Sequence, residues 1–85
     1  QGVRYMLQAA AYANADDADR LKAKLALNGL EAHIEKVIVG DKGTHYRVRL
    51  GPYSKIEDLD ATNDKSSQLG IKAMRLKVQK QPPRT

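Results

Sequence analysis

Slid along itself by forty-one residues, the chain falls back on its own pattern. Tyr5 meets Tyr46 and Tyr12 meets Tyr53, while Asp17 and Asp19 meet Asp58 and Asp60. Lys24 meets Lys65, Gly29 meets Gly70 and Ala32 meets Ala73, all without a gap. Leu7/Val48, Asp16/Glu57 and Leu30/Ile71 are conservative matches in the same register. A repeat of this period marks a duplicated supersecondary unit. Each copy reads strand, turn, helix, glycine, strand, so two copies make one small βαββαβ domain.

The elements follow from local signals. Arg4 to Ala9 alternate as a strand does, with Tyr5, Leu7 and Ala9 on one face and Arg4, Met6 and Gln8 on the other. Asn14 is placed to cap a helix whose first turn carries Asp16 and Asp17, complementing the helix dipole. Ala18, Leu21, Ala23, Leu25 and Leu27 supply its apolar stripe, and Asn28-Gly29 ends it. A second strand runs from Leu30 to Val39, anchored by Ile34, Val37 and Val39. Gly40-Asp41-Lys42-Gly43 then forms a hairpin turn. The third strand, Thr44 to Leu50, turns Tyr46, Val48 and Leu50 inward and His45, Arg47 and Arg49 outward, and Gly51-Pro52 is expected to break it. Ser54 reads as the N-cap of the second helix, with Glu57 completing a capping box. That helix passes Ile56, Leu59 and Ala61 toward Leu69 and stops at Gly70. Its polar run, Thr62 to Ser67, is low in helix propensity, and only the repeat register keeps it helical. Ile71 to Val78 is the last strand. The domain is therefore read as residues 4–78, with residues 79–85 as a tail.

The expected fold class is α+β, a pseudo-repeat with a four-stranded antiparallel sheet and two helices on one face, ferredoxin- or RNP-like in outline. Such a sheet leaves its other face open to solvent and free to bind. Met6, Gln8, His45, Arg47 and Arg49 lie on that face by parity. On the last strand, small Ala73 aligns with Ala32 and suits the helix side, which puts Met74 and Leu76 on the open face. The opposite parity would bury Met74 and expose Arg75.

Composition narrows the partners. The net charge is +5, compatible with an anionic or hydroxyl-rich ligand and equally with plain solubility. With no cysteine, neither a disulfide nor a thiolate site can form, and no run of residues is long and apolar enough to span a membrane. The acids gather at helix starts, where capping accounts for them, rather than as the paired carboxylates of a glycan hydrolase. His33 and His45 stand alone, and no phosphate loop or metal spacing is present. The reading is of a non-enzyme with no cofactor and no metal. Because the chain begins at Gln1, it is expected to be a segment of a longer protein.

These residues resemble a family. Gln8 followed by Tyr12, an Asn-led helix rich in Ala and Leu, and Gly29 resemble the first half of a SPOR domain. Tyr46-Arg47-Val48-Arg49-Leu50-Gly51-Pro52-Tyr53 is similar to the family's Arg-Val-x-x-Gly-Pro-Phe stretch. The likeness covers essentially residues 4–78 and is greatest to the C-terminal domain of bacterial cell-division proteins of the FtsN type. It implies binding of septal peptidoglycan through the open sheet face, with a preference for glycan strands lacking stem peptides. It also implies a periplasmic domain at the division septum that is not itself membrane-inserted, and the domain is expected to be a monomer. Its parent would be anchored in the inner membrane and reach other division proteins. The glycan-binding residues carried over are Gln8, Arg47 and Met74, with His45 beside the groove and Arg49 on the same strand. Tyr12 and Tyr53 stand where the family commonly has Phe and are expected as packed corners.

Physical chemistry suits this ligand. A denuded glycan presents acetamides, hydroxyls and free lactyl carboxylates. Arginine can fork onto a carboxylate, Gln8 can donate to and accept from an acetamide, and Met74 can cover an apolar sugar face. An RNA-binding module of RRM type shares the outline, but it stacks bases on aromatics of the first and third strands. Here Tyr5 and Tyr46 share the parity of Leu7 and Val48, and no nucleic-acid partner is expected. A small protein-interaction module of the same shape remains the other alternative.

Overall fold

The computed structural model describes residues 3–79. Strand β1 spans Val3–Tyr12, helix α1 Ala15–Leu27, β2 Ala32–Ile38, β3 Thr44–Tyr53, α2 Ile56–Gln68 and β4 Met74–Gln79. The strands form one antiparallel sheet in the order β2-β3-β1-β4. This is the expected α+β, βαββαβ architecture. Leu7, Leu25, Leu50, Val48 and Leu59 are fully buried between the sheet and the helices. Burial of each such side chain is worth about 1.5–3 kcal/mol.

The helix ends show why the repeat exists. At the end of α1, the Leu30 N–H donates to the Leu25 carbonyl and the Gly29 N–H to that of Ala26. At the end of α2, Ile71 donates to Ser66 and Gly70 to Ser67 in the same way. Both are Schellman caps, and the glycines take φ of 78° and 82°. Leu30 and Ile71 are thus spent on capping. That is why β2 and β4 begin at Ala32 and Met74, later than the Leu30 and Ile71 expected from apolar character. Helix α2 runs unbroken through its polar stretch. Ser66 is fully buried at the position where α1 has Leu25, and its hydroxyl has no hydrogen-bond partner among the described residues.

Other expectations needed correction. Ala23 and Leu27 are exposed, Leu27 by 88%, because only Ala18, Leu21 and Leu25 share the angular sector facing the sheet. Ser54 does not cap α2. The N-cap is Lys55, which makes no side-chain bond, although its φ, ψ of −115°, 135° nearly repeat the −116°, 128° of Asn14. The repeat register had marked that position, since Lys55 aligns with Asn14. Asn14 Oδ1 accepts the Asp16 N–H at 2.7 Å. Lys55→Asn is therefore expected to supply the missing cap and stabilise the domain by about 0.5–1 kcal/mol. The check is a rise in thermal midpoint with the sheet-face chemical shifts unchanged.

Gly51-Pro52 does not end β3. The strand continues to Tyr53, which opposes Tyr5, with an irregularity between the Tyr5 and Leu7 pairings. Proline is tolerated there because β2 begins opposite Leu50, so among the described residues β3 has no neighbour on that side to receive a ladder bond. A matching bulge interrupts β1 between Gln8 and Ala10. It reverses the alternation, so Tyr12 packs against the core although its parity with Gln8 would send it outward. All four tyrosines pack against the core, Tyr12 and Tyr53 as the expected corners. Gln79 still pairs with Val3 in β4, and the rest of the expected tail, residues 80–85, lies outside the described residues.

Candidate functional site

The repeat has a geometric consequence in the sheet. Tyr5 opposes Tyr53 and Tyr12 opposes Tyr46, and exchanging the two halves turns one pair into the other. Gln8 opposes Arg49, and that exchange returns the same pair. A pseudo-two-fold axis therefore pierces the sheet between Gln8 and Arg49. The outer strands obey it too: His33 opposite Arg49 corresponds to Met74 opposite Gln8, and Glu35 opposite Arg47 to Leu76 opposite Met6. Val37 opposite His45 corresponds to Val78 opposite Arg4.

His33, Arg49, Gln8 and Met74 thus form one row across all four strands. At its centre the Arg49 Nε–H donates to Gln8 Oε1 at 3.2 Å. Arg49 Nη1 lies 3.1 Å from Glu35 Oε1, while Arg47 Nη1 lies 3.9 Å from the same oxygen. The Arg49 side chain is only 17% exposed, against 33% for Arg47. Arg49 is therefore a held group and Arg47 the more accessible one. A guanidinium has no acceptor, so the hydrogen bond fixes the Gln8 carboxamide oxygen toward Arg49 and leaves its NH₂ free to donate outward.

The two halves about the axis have different chemistry. On the β2–β3 side lie Glu35, Arg47 and His45, together with Val37. Across the axis, Arg4, Met6, Pro52 and Val78 line a shallow, largely apolar groove of about 330 Å³. Met74 and Val78, 55% and 42% exposed, extend that apolar surface along β4. Arg75 faces the other way, with its Nη2 2.7 Å from Asp60 Oδ1 on α2 in an ion contact that is not an in-line hydrogen bond. This resolves the parity of the last strand in favour of Met74 and Leu76 on the open face.

The structure thus gathers Gln8, Arg49 and Met74 in one row, with Arg47 and His45 farther along β3. It adds His33, Glu35, Val37, Arg4, Pro52 and Val78, which the sequence reading did not place in the site. Val37 had been taken as a core anchor, but β2 faces the helices through Ala32 and Ile34, so 33, 35 and 37 point outward. The signal was present in the repeat, which aligns His33 with Met74 and Glu35 with Leu76. Among the described residues, no three His, Cys, Asp or Glu side chains gather to hold a metal ion, and no helix is long and apolar enough to cross a membrane.

Among the described residues this is a two-layer α+β domain with one sheet face uncovered and a polar pair at the centre of that face. The SPOR domain family model matches residues 1–77, and the chain belongs to that family. Two solved structures are similar. The RlpA SPOR domain of Pseudomonas aeruginosa is 31% identical, with a TM-score of 0.73 over 86% of this chain and 96% of that one. The peptidoglycan-binding domain of the B. subtilis cell wall lytic enzyme CwlC is 20% identical, with a TM-score of 0.75 over 93% and 94%, a likeness of fold. No curated protein matches the chain.

Proposed function

We propose that this domain binds the glycan strands of peptidoglycan, without catalysis, through the open face centred on Gln8 and Arg49. The observation that carries the reading is that pair itself: a hydrogen-bonded amide and guanidinium on the axis of an uncovered SPOR sheet. The Gln8 NH₂ donates to an acetamide carbonyl or hydroxyl of the glycan, and Arg47 meets a lactyl carboxylate. Met74 and the apolar groove cover a sugar face. His45 and His33 border the charged half, and Arg49 positions Gln8. A preference for strands without stem peptides follows from the chemistry, since peptide removal frees the lactyl carboxylate. In the cell the domain acts as a monomer in the periplasm and brings its parent protein to the division septum. The name of the CwlC domain and membership of the SPOR family support this reading.

RNA binding is disfavoured because the tyrosines pack against the core and the chain has no Phe or Trp to form a stacking platform. The test is co-sedimentation of the purified domain with sacculi. Amidase-treated sacculi should retain it much more than intact ones. Equal retention refutes the preference for denuded strands, and retention by neither, with tight binding to single-stranded RNA, refutes the function.

A further inference from the structure

The two arginines that face an incoming anion already share one. Glu35 Oε1 contacts Arg49 at 3.1 Å and Arg47 at 3.9 Å, so the pair and its carboxylate carry one net positive charge rather than two. Nothing in the scaffold demands a carboxylate there, because the symmetry-related position on β4 is Leu76. Glu35 is 49% exposed and sits on an edge strand, so it can swing into water without disturbing the core. An ion pair this exposed exchanges readily.

We propose that Glu35 is a specificity-determining residue: an internal carboxylate that an anionic ligand group must displace from Arg47. Arg49, held from both sides by Gln8 and Glu35, stays in place as a positioning residue. Arg47, farther from Glu35 and more exposed, is the arginine that exchanges partners. The face then selects a ligand that combines one well-placed carboxylate with hydrogen-bonding groups, and it discounts negative charge alone. The proposal takes its ligand from the glycan reading above, while the competition itself is a property of this chain.

The experiment uses Glu35→Gln, which keeps shape and removes charge, and Glu35→Leu, which installs the residue of the symmetry-related position. In the first arm, sodium acetate is titrated while the arginine Nε–H signals are followed by NMR. Removing a unit charge about 4 Å from Arg47 should lower the acetate concentration that shifts its signal by about three- to tenfold in both variants. In the second arm, a denuded tetrasaccharide and the same sugar with its carboxyls amidated are titrated. The carboxylate form should tighten in Glu35→Gln by a similar factor and the amidated form should not. Equal acetate responses in wild type and variants overturn the proposal, as does tightening of both sugars alike. If acetate distinguishes the variants but no protein binds either sugar, Glu35 competition stands and the glycan reading fails. If the wild type binds the sugar but acetate does not distinguish the variants, the reverse holds.

Discussion

Replacing Gly51 by alanine is expected to lower the melting temperature by about 10–20 °C, the largest stability effect of any single substitution considered for this domain. Gly51 has φ of 114°, a backbone region that side-chain-bearing residues rarely enter. A Cβ built there would lie 3.1 Å from the Tyr5 carbonyl oxygen and 3.1 Å from the Cδ2 and Cε2 atoms of the Tyr53 ring. Neither neighbour can retreat cheaply, since one is backbone of the central strand β1 and the other packs against the core. Strain and crowding together cost about 2–3 kcal/mol. Gly40→Ala is the matched control, because that turn has nothing within 4 Å of the added carbon. Equal losses at the two positions would show that crowding at the β1–β3 crossing is not the cause.

Replacing Gln8 by glutamate is expected to weaken binding to a denuded tetrasaccharide by about 30- to 100-fold while leaving the melt within a few degrees of wild type. The oxygen of the Gln8 amide is already occupied by Arg49, so what the ligand receives is the NH₂. Glutamate keeps the acceptor, removes both donors and adds a negative charge facing an anionic ligand. A lost donor to a bound polar group costs about 2–2.8 kcal/mol, which sets the factor. Stability is preserved because the side chain lies on the open face and its carboxylate still pairs with Arg49. Arg47→Ala should weaken binding less, since Glu35 already offsets part of the charge that substitution removes. Calorimetric titration of the two variants checks the order, and a larger loss for Arg47 would place the anion contact ahead of the amide. A variant of Gln8 that merely unfolds would instead overturn its placement on the open face.

Much of the fold was legible because the repeat reports on backbone requirements. Glycines at the helix ends, tyrosines at the corners and acids in the first helical turns recur wherever the chain must repeat a cap or a packing contact. Helix α2 illustrates the strength of that signal: its polar composition argued against a helix, and the register with α1 correctly kept it. Lys55 illustrates neglect of the same signal, since local preference for Ser54 overrode a register that pointed one residue on. The open face was legible where alternation was clean, as in β3 with His45, Arg47 and Arg49. It was misread in β2, where Val37 is β-branched and apolar and so looks like core. Whether such a residue is buried depends on which face of the sheet it meets, and hydrophobicity alone does not report that.

The sequence by itself determined the duplicated architecture, the glycine C-caps of both helices and the family, because each is written in local preferences that recur at a constant offset. It also aligned Gln8 with Arg49, as a formal correspondence between two halves. Only the tertiary structure made that correspondence a contact. Strand pairing brought the two residues face to face on the pseudo-two-fold axis, 3.2 Å apart, and set Glu35 against both arginines. Cross-strand register is decided by turns, bulges and the burial of the opposite face, all of which act between segments distant in the chain. That is why the open-face residues of β1 and β3 could be listed beforehand, while the contribution of β2, the central pair and the internal carboxylate could not.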